Sequence, residues 1–201
     1  MSRVLAINAS PRKYGNTYKL LRVAVEAVMR EGIETEVIHL YDYELKPCRG
    51  CLSDDIKLCK PPCLMEDDAW EVLRKIRDAD GLIIATPIYW YGPPGQLKTL
   101  IDKMTVFENM AILEGRSWVE GKAAGFIAAG GDSGEIMTIA YLMVVLNSMG
   151  FIIPPWALAY YTGLGDALEA DERVLDAANV GLAVAKTVKA SIPKEWYDPN
   201  L

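Results

Sequence analysis

Short apolar runs alternate with longer amphipathic stretches along most of the chain, and this alternation restricts the fold more than any other feature. The runs are rich in Val, Ile and Ala and almost continuous in apolar residues, as expected when helices cover both faces of a parallel strand. Alternating strands and helices are typical of βαβ units around a parallel sheet. The predicted strands are residues 4–9, 35–40, 81–86, 123–129 and 151–159.

The amphipathic stretches predict five helices between and after these strands. Asn16 with Thr17 offers a helix start, and Gly32 offers a stop. Five strands and five helices fit an α/β fold with a doubly wound, flavodoxin-like parallel sheet of order 2-1-3-4-5 and helices on both faces. The predicted helices are residues 17–31, 67–78, 95–104, 133–149 and 171–189.

The length and composition predict one ordinary globular domain over residues 1–201, with a cysteine-rich insert at 43–66 and a tail at 191–201. The formal net charge is −6, which argues against binding to nucleic acid or to an anionic membrane, since both need clustered cations. No apolar run reaches the roughly 20 residues of a membrane span, and no secretory leader pattern follows Met1. We therefore expect a cytoplasmic protein.

The loop after the first predicted strand, residues 10–17, has the composition of a monophosphate site. It offers the hydroxyls of Ser10 and Thr17, the amide of Asn16, the cation of Arg12 and the free N–H groups of a helix N-terminus. It lacks both the Walker A pattern and the Gly-x-Gly-x-x-Gly pattern, so a monophosphate is favoured over ATP or a pyrophosphate. A capped strand-to-helix turn without a ligand is the alternative.

The loop after the third predicted strand carries three consecutive aromatic residues, Tyr89, Trp90 and Tyr91. They cannot all be buried in the core of their own strand, so some must line a cleft or an interface. A flat ligand explains them, and so does an aromatic subunit contact. The two interpretations are compatible.

Together the two loops resemble the NADPH-dependent FMN reductase family, and especially its iron-sulfur flavoprotein branch. The similarity lies in Asn8-Ala9-Ser10-Pro11-Arg12 with Gly15-Asn16-Thr17, and in Thr86-Pro87-Ile88-Tyr89-Trp90 with Gly95-Gln96-Leu97-Lys98, and it covers about residues 3–150. It implies bound FMN as the carrier of the chemistry, with no catalytic side chain. The residues implied to bind FMN are Ser10, Arg12, Asn16 and Thr17 at the phosphate, Pro87, Ile88, Tyr89, Trp90 and Gly92 around the ring, and Gly130, Gly131 and Asp132 on its far side.

All four cysteines, Cys48, Cys51, Cys59 and Cys63, lie within sixteen residues, which indicates a metal or redox role. The spacing alone does not choose between zinc and an iron-sulfur cluster. The family resemblance favours a [4Fe-4S] cluster. The usual motif of the branch, however, is C-x2-C-x2-C with a fourth cysteine, whereas this chain has C-x2-C-x7-C-x3-C and Asp54 at the third position. Zinc and a reversible dithiol therefore remain alternatives.

Other chemistry is disfavoured by the rest of the sequence. His39 is the sole histidine and lies in a predicted strand, where a packed or edge position is expected. Ser133 has no histidine partner, which excludes nucleophilic hydrolysis by a serine triad.

The resemblance therefore implies an FMN-dependent oxidoreductase whose flavin and [4Fe-4S] cluster exchange electrons with a ferredoxin-like carrier or a small-molecule acceptor. It leaves the electron donor open, with NAD(P)H as one candidate. The resemblance further implies a homodimer or homotetramer, with Trp90, Tyr91, Trp196 and Tyr197 as candidate interface residues. The alternatives are a cluster-free NAD(P)H-dependent FMN or quinone reductase and a non-catalytic flavin electron carrier.

Overall fold

The computed structural model describes residues 2–190, 192–193 and 196. Five strands pair in parallel in one sheet of order β2-β1-β3-β4-β5, which confirms the predicted flavodoxin-like topology. The strands are β1 (Arg3–Asn8), β2 (Glu34–His39), β3 (Gly81–Pro87), β4 (Ala123–Gly130) and β5 (Leu158–Thr162).

Helices cover both faces of the sheet, and each face has its own apolar core. On one face, α1 and α6 pack together so closely that a Cβ on Gly181 would overlap the backbone of Ala24. The other four helices cover the opposite face. No helix in the described part of the chain is long and apolar enough to cross a membrane. The helices are α1 (Asn16–Arg30), α2 (Ala69–Asp78), α3 (Gly95–Lys103), α4 (Thr105–Glu114), α5 (Glu135–Ser148) and α6 (Asp171–Lys189).

The strand order reverses at β1, which lies between β2 and β3. Asn8 at the end of β1 is in register with His39 of β2 and with Ala85 of β3. The loops that follow β1 and β3 therefore leave the same edge of the sheet side by side. In open α/β sheets this is the position where ligands bind.

The last strand lies further along the chain than the sequence predicts. Within the predicted strand at 151–159, Phe151 is buried and Ile152 makes only an isolated bridge to Ala123. Pro154 and Pro155 follow, and proline has no N–H to donate to a strand ladder. The apolar run therefore belongs largely to a buried connection, and β5 begins at Leu158.

The helix α4 is absent from the sequence prediction, which ends a helix at 104 and leaves the next residues unassigned. Its apolar residues are not confined to one face, so it lacks the helical periodicity on which such a prediction relies. Val106, Phe107 and Met110 are buried, and so is the polar residue Asn109. This helix contacts the cysteine-bearing segment described below.

Candidate functional site

The phosphate loop, which we define as residues 9–15 between β1 and α1, leaves the N-terminus of α1 open to an anion. The N-cap residue is Gly15, so no side chain caps the helix, and the first turn contains no acidic residue. Ser10 and Thr17 lie in this loop and the first helical turn and are each 4% exposed. Uncapped N–H groups with neighbouring hydroxyls, at the positive end of a helix dipole, form a site suited to a phosphate.

The buried side chain of Asn8 fixes the conformation of the phosphate loop. Its Oδ1 accepts a hydrogen bond from the Ser10 N–H at 3.2 Å, and its Nδ2 donates to the Lys13 carbonyl at 3.3 Å. The same Nδ2 lies 2.9 Å from Nδ1 of His39. Within the loop, the Arg12 N–H donates to the Ser10 hydroxyl oxygen at 3.1 Å. Our sequence analysis gave Asn8 no role, because its function is to bind backbone groups of its own loop.

Asn16 lines the cleft described below, and its carboxamide is hydrogen-bonded to the loop between β5 and α6. Its Nδ2 donates to the Gly165 carbonyl at 2.8 Å, and its Oδ1 accepts from the Ala167 N–H at 3.1 Å. The side chain thus ties the start of α1 to the loop between β5 and α6. Nearby, Lys19 and Asp166 form an ion pair at 2.6 Å that makes the same connection.

A cleft of about 280 Å³ lies between the phosphate loop and the loops after β3, β4 and β5. Trp90, Gly92 and Asp132 do not line it, whereas the other residues predicted to bind FMN do. Five lining residues were not predicted to bind FMN, namely Gly15, Ala129, Tyr161, Gly163 and Leu164. The last three belong to β5, whose bounds differ from the prediction, and to the loop that follows it. The lining is Ser10, Arg12, Gly15, Asn16, Thr17, Pro87, Ile88, Tyr89, Ala129, Gly130, Gly131, Tyr161, Gly163 and Leu164.

Trp90 and Tyr91 form the tip of a two-residue hairpin at the mouth of the cleft. Tyr89 and Gly92 exchange backbone hydrogen bonds of 2.8 and 3.2 Å across it. Trp90 and Tyr91 have φ angles of 51° and 65°, as in a type I′ turn, which usually contains Asn and Gly. A Cβ on Gly134 would lie 2.9 Å from Cα of Tyr91, so the start of α5 supports this turn closely. Trp90 is 95% exposed and does not line the cleft.

The cysteine loop, which we define as residues 47–65, is closed at its base by paired hydrogen bonds. The Glu44 N–H donates to Asp68 at 2.7 Å, and the Asp68 N–H donates back to the Glu44 carbonyl at 3.0 Å. One step further, the Lys46 N–H donates to Asp67 at 2.8 Å, and the Lys46 ammonium donates to the Glu66 carbonyl at 2.8 Å. The two chain segments at the base are thus joined before the cysteines begin.

Two buried contacts attach the cysteine loop to α3 and α4. The ammonium of Lys103 lies 2.9 Å from the Asp67 carboxylate, and both side chains are fully buried. Burial alone would raise the pKa of Asp67, but hydrogen bonds from the backbone of Lys46 and of Ala69, together with the nearby ammonium of Lys103, lower it below its usual value. Further into the loop, the Asn109 amide donates to the carbonyl of Cys59 at 2.7 Å.

The four cysteine thiols are unpaired and share one neighbourhood. Cys59 is buried, Cys51 and Cys63 are partly exposed, and Cys48 is exposed. Burial, together with the thiols of Cys51, Cys48 and Cys63, raises the pKa of Cys59 to about 11. The Gly50 N–H points to the Cys48 sulfur at 3.5 Å. Four thiols in one loop suit a thiophilic metal or cluster. Within the described residues, however, no three metal-binding side chains are arranged around a common ion position.

The sequence model of the NADPH-dependent FMN reductase family matches residues 2–162. The chain belongs to this family. It is 36% identical over 197 residues to an iron-sulfur flavoprotein of Methanocaldococcus jannaschii, covering 93% of this chain and 97% of the relative. A crystal structure of an NADH:FMN oxidoreductase is 26% identical, with a TM-score of 0.68, and the match covers 96% of this chain and 92% of that one.

A second solved structure has the same fold at lower identity. The structure of RosB with bound 8-demethyl-8-formylriboflavin-5′-phosphate has a TM-score of 0.78 at 22% identity, over 94% of this chain and 79% of that one. As a member of the NADPH-dependent FMN reductase family, this chain is an FMN-dependent oxidoreductase. The uncapped N-terminus of α1 and the adjacent cleft fit the phosphate and the body of such a cofactor.

Proposed function

We propose that this FMN-dependent oxidoreductase is an iron-sulfur flavoprotein, with FMN in the cleft and a [4Fe-4S] cluster on Cys48, Cys51, Cys59 and Cys63. Electrons would pass between the two centres and a ferredoxin-like carrier or a small-molecule acceptor, with NAD(P)H as a donor. The observation that carries the proposal is the grouping of four free cysteines in one loop, on a chain of the NADPH-dependent FMN reductase family. The name of the relative from M. jannaschii adds support.

On the flavin side, we assign phosphate binding to Ser10, Arg12 and Thr17 with the N–H groups at the start of α1. The hydroxyls donate hydrogen bonds, and the Arg12 guanidinium offsets negative charge. Tyr89, together with Pro87, would flank the ring. Bound FMN supplies the exchange between two-electron and one-electron chemistry, while the protein contributes position and electrostatics.

On the metal side, the burial of Cys59 supports its assignment as the third cluster ligand despite the unusual cysteine spacing. Asp54, at the position of the usual third cysteine, is exposed, whereas Cys59 is buried and its carbonyl is bound by Asn109. The longer interval therefore brings a cysteine inward that the shorter spacing would not. A bound [4Fe-4S] cluster would supply one-electron transfer, and cysteine thiolates are its usual ligands.

The test is the metal and flavin content of anaerobically purified protein. We expect about four irons, with matching acid-labile sulfide, and one FMN per chain, as a [4Fe-4S] flavoprotein requires. A Cys59→Ala variant should keep its FMN and lose most of its iron. If wild-type protein binds FMN but contains no iron, the cluster assignment is wrong and the flavin assignment stands.

A cluster-free reductase is the second candidate, and the lack of a preformed ion position among the described cysteines favours it. The similar NADH:FMN oxidoreductase structure points the same way. In that case the protein would contain zinc or no metal, and it would turn over NADH or NADPH with a quinone. Steady-state assays of iron-free protein separate this enzyme from a non-catalytic electron carrier, which should show almost no turnover.

We also propose a homodimer or homotetramer that buries the apolar side of α5. Ile136, Met137 and Val144 of this helix are each about three-fifths exposed or more, next to the hairpin of Trp90 and Tyr91. Such a patch on a single chain usually marks an interface. Trp196 is also exposed, and Tyr197 lies outside the described residues.

A further inference from the structure

The carboxamide of Asn8 has a fixed orientation, and this determines how His39 can contact it. Oδ1 of Asn8 accepts from the Ser10 N–H, while Nδ2 donates to the Lys13 carbonyl. Nδ2 is therefore also the atom that faces Nδ1 of His39 at 2.9 Å. Because an amide nitrogen only donates, Nδ1 of His39 must accept, so this contact exists only while the imidazole is neutral.

The surroundings of His39 favour the neutral ring. Burial lowers the pKa of His39 below its ordinary value, the Asp42 carboxylate acts in the opposite direction, and Lys13 acts in the same direction as burial. Lys13 and Asp42 form an ion pair at 2.6 Å, and this limits the net electrostatic effect of the two charges on the His39 ring. The other groups against the ring are Tyr14 and Tyr18, whose ring centroids lie 6.2 and 5.1 Å from its own.

We propose that Asn8 and His39 form a proton-sensitive support that holds the phosphate loop in its FMN-binding conformation only while His39 is neutral. Protonation places an N–H on Nδ1 opposite the Asn8 Nδ2, so two donors face each other. While the imidazolium keeps its position, the Asn8 carboxamide must rotate or withdraw, and the Ser10 N–H and the Lys13 carbonyl then lose their partner. Asn8 and His39 are thus positioning residues for the phosphate site, and this inference rests on FMN binding in the cleft.

Because of thermodynamic linkage, this arrangement can be tested by measuring the pKa of His39 with and without FMN. If the FMN-binding loop requires neutral His39, then binding of FMN must lower the pKa of His39. A direct attraction between the imidazolium and the FMN phosphate would instead raise that pKa. The two outcomes have opposite signs, so the direction of the change distinguishes a loop support from simple charge attraction.

The experiment is a histidine NMR titration of the protein with and without FMN. His39 is the sole histidine, so the imidazole Cε1–H signal needs no assignment. We expect the pKa to fall by at least about half a unit when FMN is bound, which corresponds to a roughly threefold loss of affinity on protonation. An unchanged or raised pKa in FMN-loaded protein overturns the inference. A folded protein that takes up no FMN overturns the FMN site itself, which is a separate result.

Two variants provide the matched comparison, each checked for folding by circular dichroism. His39→Gln keeps an acceptor for Asn8 but cannot be protonated, so its Kd for FMN should rise less between pH 7.5 and 5.0 than that of the wild type. His39→Phe removes the acceptor and should bind FMN weakly at every pH. The phosphate of FMN also takes up a proton at about pH 6, but that effect is common to all three proteins. Identical pH profiles of wild type and His39→Gln would contradict the inference.

Discussion

Lys103 and Asp67 form an ion pair of 2.9 Å in which neither side chain reaches solvent. Asp67 also accepts hydrogen bonds from the Lys46 and Ala69 N–H groups, so the pair lies where the base of the cysteine loop meets α3. Removing one partner of a buried pair leaves a charge without compensation in a medium of low polarity. The pair therefore couples the stability of the fold to the attachment of the cysteine loop.

Replacing Lys103 by Met should destabilise the protein by about 3–5 kcal/mol, because the Asp67 carboxylate then stays buried without its cation. The matched control is Lys98→Met, which removes an exposed pair with Asp102 and should change stability by less than about 1 kcal/mol. Urea unfolding of both variants measures the difference. Equal effects of the two substitutions would show that the Lys103 pair has no special role.

Replacing Asn109 by Leu should loosen the cysteine loop without unfolding the sheet. The carbonyls of Ile56 and Cys59 lose their donor, which is worth about 1–3 kcal/mol for buried groups. In metal-free protein, alkylation of Cys59 should accelerate by about tenfold, since 1.4 kcal/mol corresponds to that factor. Asn179→Ala, which removes an exposed side-chain bond within α6, is the control and should leave the labelling rate of Cys59 unchanged.

Replacing Gly15 by Asp should affect stability and FMN affinity in opposite directions. The backbone at Gly15 has φ −74° and ψ −177°, which any residue can adopt, so an Asp can cap α1 and add about 0.5–2 kcal/mol of stability. The same carboxylate occupies the helix N–H groups and repels a phosphate. Kd for FMN should rise at least about tenfold, equivalent to 1.4 kcal/mol, with little change for riboflavin.

Fluorescence titration with both flavins checks the Gly15→Asp prediction, with Gly15→Ala as the control for the added side chain. The nearest atom to a Cβ at this position is Cβ of Arg12 at 3.4 Å, so alanine is accommodated. An equal loss of FMN and riboflavin affinity would place the phosphate elsewhere.

Replacing Met137 by Glu should reduce the assembly state without removing the flavin. Met137 is 61% exposed on α5 and does not line the cleft. A charge at this position should therefore weaken contacts with a second chain and leave the cleft unchanged. Analytical ultracentrifugation should give a smaller mass than for wild type at the same concentration. Thr187→Glu on α6, away from this patch, is the control. A wild-type protein that is already monomeric contradicts the proposed interface.

The two loops that line the cleft could be predicted from the sequence, because their residue types differ from those that a buried core requires. Ser10 and Thr17 are hydroxyls at a helix start, and Pro87 to Tyr89 follow a strand, so pattern and position agree. Tyr161 was missed for the opposite reason. It depends on the register of β5, and the apolar run before it continues through Pro154 and Pro155 without forming a strand.

The roles of Asn8, Asn16 and Asn109 illustrate a second limit of sequence reasoning. Each carboxamide binds backbone groups of a loop, and the identity of those groups depends on loop conformations that the side-chain pattern does not encode. The same holds for Lys103, which reads as an ordinary surface cation in a helix and is 1% exposed. Its partner lies 36 residues earlier, and only the folded chain brings the two together.

The paired hydrogen bonds between residues 44–46 and 66–68 join the two ends of the cysteine loop, so the loop is closed independently of its interior. Because Lys46 and Glu66 already lie side by side, a short turn between them would close the chain with the sheet left intact. The cleft opens at the edge of the sheet, next to α1, while the cysteine loop packs on α3 and α4 on the opposite layer. A change in the length of the cysteine loop therefore leaves the residues that line the cleft in place.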